Sequence, residues 1–198
     1  MSALLEMKDI EKSFNDSPVL KKVDFSVEPG EVHALMGENG AGKSTLIKIL
    51  TGIYPKDGGQ IYWDGKPVQI NNRNDAAKLG IGVIYQELSL IPTLTVMQNV
   101  MLGKEESRAG FVSTRKMRKR VSELIDKYGF GIKPDAIVET LTIAQRQTIE
   151  ILKALSEESK LIIMDEPTAS LSTKESDALF GIIEQLRKDG VSIIYISH

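Results

Sequence analysis

The residues best suited to chemistry are Gly37-Glu38-Asn39-Gly40-Ala41-Gly42-Lys43-Ser44-Thr45, a G-x-x-x-x-G-K-S-T pattern. Glycines at 37, 40 and 42 let the backbone curl until successive N–H groups aim at one spot. A helix beginning there adds the positive end of its dipole. Such a cradle suits phosphate. Lys43 is then placed to reach the β- and γ-phosphates, and the Ser44 hydroxyl to ligate Mg²⁺. A second group, Asp165-Glu166, follows the uninterrupted apolar run Leu161-Ile162-Ile163-Met164. Phosphate-loop enzymes hold Mg²⁺ between the loop Ser/Thr and an acid at the end of such a strand. Asp165 would serve the metal, mostly through water, and Glu166 would accept a proton from the attacking water.

These residues need particular elements around them. Val32–Met36 reads as a buried strand into the loop, and Leu46–Leu50 as a helix out of it, closed by Gly52. Strand, loop and helix in that order are the context the motif requires, so the chain is read as binding a nucleoside triphosphate. Leu4–Ile10 and Val19–Val27 read as strands, and Gln60–Trp63 as another, with Asp64-Gly65 as a hairpin turn. Several strands before the first strict alternation predict an antiparallel β layer beside an α/β core. Gly80–Tyr85 is a short strand ending at Gln86. From Leu94 to about Leu155 the pattern is helical, with no strand signal. Leu161–Met164 has the composition of a parallel strand covered on both faces. Ser172 and Glu175 form a capping box before a helix whose buried stripe is Leu179, Phe180, Ile183 and Leu186, with Gly190 at its end. Val191–Ile196 is one more strand, stopping at Ser197-His198. A domain seldom ends flush with a core strand, so a longer chain is expected.

Composition excludes several alternatives. The 198 residues suit one domain, with or without a subdomain, and the net charge of -2 gives no global attraction to nucleic acid or anionic lipid. With no cysteine, disulfides and thiolate metal sites are ruled out. The N-terminus meets acid too early for a signal peptide, and no apolar run approaches the ~20 residues of a membrane helix. A soluble cytoplasmic protein is the expectation. The basic run Arg115–Arg120 interleaves with Met117, Val121, Leu124, Ile125 and Tyr128 at helical spacing. It reads as the solvated face of an amphipathic helix, and no nucleic-acid partner is expected.

The ordered set of motifs resembles an ATP-binding-cassette (ABC) ATPase. It comprises the phosphate loop, Gln86 after its strand, Leu141-Thr142-Ile143-Ala144-Gln145, Leu161–Glu166 followed by Pro167-Thr168, and His198. The likeness spans nearly the whole chain and is nearest to the first cassette of tandem-cassette ATPases serving ribose-, galactose- and xylose-type importers. Tyr85-Gln86-Glu87-Leu88, Ala144-Gln145-Arg146-Gln147 and Tyr195-Ile196-Ser197-His198 support that subfamily. The resemblance implies an α/β cassette over residues 1–198, C-terminally truncated, with a helical subdomain at about 88–155. It implies MgATP hydrolysis, with Phe14 stacking on adenine and Gln86 touching Mg²⁺ or the attacking water. His198 would contact the γ-phosphate. Residues 142–145 would act in trans on a partner cassette's nucleotide. Partners implied are that second cassette, integral membrane permease subunits and, indirectly, a sugar-binding protein, with this chain itself peripheral at the cytoplasmic face of the membrane. Two departures stand out. The family's L-S-G-G-Q signature has become Leu141-Thr142-Ile143-Ala144-Gln145, adding side chains where glycine leaves room. Ser172 stands where the family usually has Asp. Rival readings are a soluble cassette acting on nucleic acid or ribosomes, an importer ATPase for a non-sugar solute, and a regulatory module without turnover.

Overall fold

The computed structural model describes residues 3–38, 40–86, 88–104, 107–108, 111–169 and 171–197. The chain forms two compact units. The first takes the chain up to Val83, Ser159–Glu166 and Leu186 onward; the second takes Ile84–Glu158 and Pro167–Gln185.

Two sheets build the first unit. In the antiparallel sheet, β1 (Leu5–Phe14) lies between β2 (Ser17–Val27) and β4 (Gly58–Trp63), and β5 (Lys66–Val68) closes the edge. Asp64 and Gly65 both have positive φ, 49° and 70°, which gives the two-residue turn the twist a hairpin needs. The other sheet has the order β3 (Val32–Met36), β10 (Ser192–Ser197), β9 (Leu161–Asp165), β6 (Ile81–Ile84). β10 runs parallel to both β3 and β9, with Ile194 beside His33 on one side and Ile163 on the other. Helix α1 (Lys43–Leu50) follows the phosphate loop. One apolar cluster draws on both sheets and this helix: Leu5, Met7 and Ile10; Leu46, Ile49 and Leu50; Leu161, Ile163, Ile194 and Ile196. α1 ends where expected: Gly52 adopts φ +71°, and its N–H returns to the Ile49 carbonyl. Helix α2 (Arg73–Lys78) is capped by Asn72, whose side chain accepts from the Asp75 N–H.

In the second unit, α3 (Val96–Met101), α4 (Thr114–Tyr128) and α5 (Ile143–Ser156) pack pairwise. α5 is buried almost all round, from Gln147 to Leu152 and again from Ala154 to Ser156. α4 buries Met117, Val121 and Ile125. Its other face carries basic groups in ion pairs: Arg118 with Asp135, Lys119 with Glu123, Arg120 with Glu158. α6 (Thr173–Lys188) opens with the expected box: the Ser172 hydroxyl accepts from the Glu175 N–H, and the Glu175 carboxylate accepts from the Ser172 N–H and hydroxyl. These bonds, the hydroxyl's first, hold the Glu175 carboxyl below the ordinary glutamate range.

Three expectations need correction. β3 is an edge strand that pairs with β10 alone among the described residues, and Val32, Ala34 and Met36 are exposed. A short, mostly apolar run such as Val-His-Ala-Leu-Met looks alike whether a strand is covered or lies at an edge. The stretch from Leu94 to Leu155 contains a small hairpin, β7 (Ser107–Arg108) with β8 (Phe111–Val112), whose strands are too short to show a period. Phe180 is 48% exposed while Leu179, Ile183 and Leu186 are buried. At ~100° per residue the stripe centres on Leu179, Ile183 and Leu186, which turns Phe180 roughly 90° away.

Candidate active site

The parallel sheet sets the site. Its register places Met36 beside Ser197 and Asp165 beside Ile196, so β3, β9 and β10 end together at one edge. Ligands of open α/β sheets bind beyond such carboxyl ends. β3 runs straight into the phosphate loop. Gly40 (φ +88°) and Gly42 (φ +93°) use backbone conformations open to glycine, and Gly42 is the N-cap of α1 with no side-chain cap of its own. The first N–H groups of the helix are thereby turned toward the loop's cavity.

That cavity, about 300 Å³, is lined by Phe14, Val19, Glu38, the loop from Gly40 to Thr45, Asp165 and Glu166. The structure thus brings the phosphate loop, both acids and the aromatic to one place. Lys43 is buried at 9% exposure, and its ammonium donates to the carbonyls of Gly37 and, at 3.1 Å, Glu38. Ser44 is exposed on the first turn of α1. Phe14, at the end of β1, is 38% exposed and sits edge-on to Tyr54, ring centroids 5.2 Å apart. The Lys12 ammonium lies 5.5 Å from the centre of the Phe14 ring and ion-pairs with Asp57 at 2.6 Å. That lysine, followed by the Ser13 N–H, holds the Asp57 carboxyl below the ordinary aspartate range.

Glu166 has φ +46°, a strained conformation for a non-glycine residue, and its N–H donates to the Ile196 carbonyl at 3.1 Å. The chain therefore turns sharply at the residue assigned to the water, one position beyond the strand. No cluster of three or more His, Cys, Asp or Glu suited to a metal occurs among the described residues. The donor set fits Mg²⁺, which keeps several waters and binds through few protein groups plus phosphate oxygens. Ser44 and Asp165 on the one cavity would be those groups.

Two of the remaining assigned groups belong to the second unit. Gln86 is exposed in the second unit. Thr142–Gln145 starts α5 there as a capping box: the Thr142 hydroxyl accepts from the Gln145 N–H at 3.3 Å, and the Gln145 side chain accepts from the Thr142 N–H at 3.1 Å. Ile143, the first helical residue, is 50% exposed. Asn39 and His198 fall outside the described residues. Sequence reasoning missed Val19, which lines the cavity from β2 with nothing local to mark it. A larger cavity of about 650 Å³ in the second unit lacks the loop and both acids.

Comparison with known proteins agrees with this geometry. Residues 20–169 match the ABC transporter family. The chain is 50% identical over its whole length to the ribose import ATP-binding protein RbsA of Bacillus cereus, and 49% identical to the corresponding protein of Rubrobacter xylanophilus. It covers 40% of the length of each of these relatives. Among solved structures it superposes on the ADP conformation of an ATP-binding cassette of an ABC transporter with a TM-score of 0.89 and 25% identity, covering 100% of this chain and 82% of that one. The cradle at Gly40–Thr45, the acids ending β9 and this likeness along the full chain lead to one conclusion: the chain belongs to the ABC transporter family.

Proposed function

We propose that this chain is the MgATP-binding and hydrolysing cassette of an importer, most consistent with a monosaccharide as cargo. The observation that carries the reading is the single cavity shared by Gly40–Thr45, Asp165 and Glu166 at the carboxyl ends of β3 and β9. Phosphoryl transfer depends chiefly on positioning and charge neutralisation. The loop N–H groups and Lys43 would hold the phosphates, Ser44 and Asp165 the hydrated metal, and Phe14 the base. Glu166 would take the proton of an in-line water; the roles of Gln86 toward the metal or water and of His198 toward the γ-phosphate rest on the family resemblance alone. Thr142–Gln145 would serve a partner cassette's nucleotide. The relatives' names as ribose import proteins support sugar import. No helix among the described residues is long and apolar enough to cross a membrane. As the likeness to import proteins suggests, permease subunits would supply the path, with this cassette at their cytoplasmic face and a binding protein delivering the sugar.

The test separates binding from chemistry in the assembled transporter. Glu166→Gln should retain ATP yet lose hydrolysis, because an amide orients water but is a negligible base. Lys43→Ala should weaken ATP binding itself. Native hydrolysis rates in both variants would overturn the assignment.

A further inference from the structure

Glu150 is a carboxylate at 6% exposure that the hydrolytic chemistry leaves unused. A buried carboxylate is stabilising only when its partners are well placed, and here they are specific. Its Oε1 accepts from the Ser89 N–H at 2.8 Å and from the Ser89 hydroxyl at 3.1 Å. Its Oε2 lies 3.0 Å from the Lys153 ammonium, which donates to the Ser89 hydroxyl at 2.9 Å. Ser89 follows Gln86 closely in the chain, whereas Glu150 and Lys153 stand on α5, whose first turn is the Thr142–Gln145 box.

The mount has a second point. Asn99 on α3, at 3% exposure, accepts from the Ile91 N–H at 2.7 Å and donates to the Ile91 carbonyl at 3.0 Å. Farther along α5, the Gln147 amide donates to the carbonyl of Pro167, the residue after Glu166. One helix, buried nearly all round, thus holds the segment after Gln86, the segment after Glu166, and the signature at its own start.

We propose that Glu150 is a positioning residue of the ATPase cycle: its carboxylate fastens the Gln86 segment to the signature helix, so that a displacement of Gln86 is passed to Thr142–Gln145. The inference rests on the importer reading above for its mechanistic meaning, and on the Ser89 bonds alone for its geometry. Coupling of this kind needs a stiff element that both sites bias. A charged bond anchored in the interior supplies stiffness that an exposed ion pair does not.

The experiment uses the full-length protein and has two arms. Glu150→Asp keeps the charge but shortens the reach by one methylene, so it should lose the Ser89 bonds and retain the fold. In the first arm, amide exchange at Ser89 should accelerate about tenfold or more in Glu150→Asp, while amides in the middle of α5, such as Leu152, hold within about twofold. Unchanged exchange at Ser89 would overturn the anchor. Should Glu150→Asp not fold, Ser89→Pro deletes the amide donor from the segment side, and exchange at Ile91 takes over as the readout, with the same two outcomes. In the second arm, the assembled transporter in vesicles is assayed for ATP hydrolysis and ribose uptake. Glu150→Asp should move about threefold less solute per ATP with KM for ATP within about twofold, and Glu150→Gln, which keeps an acceptor oxygen, should restore at least half. A native transport-to-ATP ratio with Ser89 exchange released would refute the coupling. So would kcat and KM changing together with no rescue by Glu150→Gln. A wild-type assembly that hydrolyses ATP without moving any sugar refutes the importer reading instead, and the exchange arm alone then decides the anchor.

Discussion

Replacing Gly42 by alanine separates two demands that the phosphate loop makes on its glycines. Gly40 and Gly42 have nearly the same φ, +88° and +93°. A Cβ in left-handed backbone costs ~1–2 kcal/mol at either position. Their surroundings differ. A Cβ on Gly40 meets nothing within 4 Å, whereas one on Gly42 lies 2.8 Å from Leu20 Cδ2 and 3.5 Å from the Val19 carbonyl oxygen. Carbon atoms attract at ~3.5–4.0 Å, so Leu20 must give way by most of an ångström. Leu20 is 3% exposed within the core cluster and has little room. Overpacking costs ~1–3 kcal/mol, and a terminal methyl on a rotatable side chain takes the lower end. Gly40→Ala should therefore lose ~1–2 kcal/mol and Gly42→Ala ~2–3 kcal/mol. Urea unfolding of the nucleotide-free protein, with equal m-values, reads the difference. Adding Leu20→Ala removes the clashing methyl, so the double variant should be ~1 kcal/mol more stable than the sum of the singles. Equal losses for the two glycines, together with additivity in the cycle, would refute the packing argument.

Other expectations can be checked as directly. A Cβ on Gly59 would lie 2.4 Å from the backbone oxygens of both Lys8 and Asp9, with φ at +80°. Gly59→Ala should thus cost ~3 kcal/mol or more by thermal or urea unfolding, and a loss below ~1 kcal/mol would rule out that backbone contact. Ser172→Ala removes the first-named cause of the low Glu175 pKa, so its carboxyl should move up toward the ordinary range in an NMR titration. Because the folded value is the depressed one, the box stabilises above the ordinary glutamate range and fades as pH falls through the folded pKa. Ser172→Ala should therefore flatten the acid limb of the stability curve, and an unchanged limb would count against it. Ile143, 50% exposed at the start of α5, should hinder backbone approach to a partner's nucleotide. Losing one such donor costs ~10²-fold in rate. If residues 142–145 face a partner cassette's nucleotide as proposed, that site should tolerate loss of its own base better than the Lys43 site tolerates Glu166→Gln; equal losses in ATPase and uptake would refute the asymmetry.

The phosphate loop could be read directly because its chemistry is local: glycine spacing, lysine and hydroxyl lie within nine residues, and the backbone they require follows from residue type. Leu161–Met164 was nearly as plain, since four consecutive β-favouring apolar residues running into Asp165-Glu166 suit a strand covered on both faces. Val32–Met36 was not, because exposure depends on which strand lies alongside. The stripe on α6 misled at Phe180, where spacing from Ile183 permits burial but the packing direction does not. Least legible is the Glu150 mount. Ser89 and Glu150 stand 61 positions apart, and an isolated glutamate in a helix announces solvent. Only the fold turns it inward.

The outer edge of β3 has a practical consequence for handling the protein. Val32, Ala34 and Met36 alternate along a strand that has one neighbour among the described residues. Such an edge offers backbone donors, acceptors and apolar side chains at the regular spacing another strand would use. Strand-to-strand addition between copies of this chain is the expected hazard, distinct from loss of fold and growing with protein concentration. Dilute storage, or a lysine at the outward-facing Ala34, would blunt that edge without touching the phosphate loop.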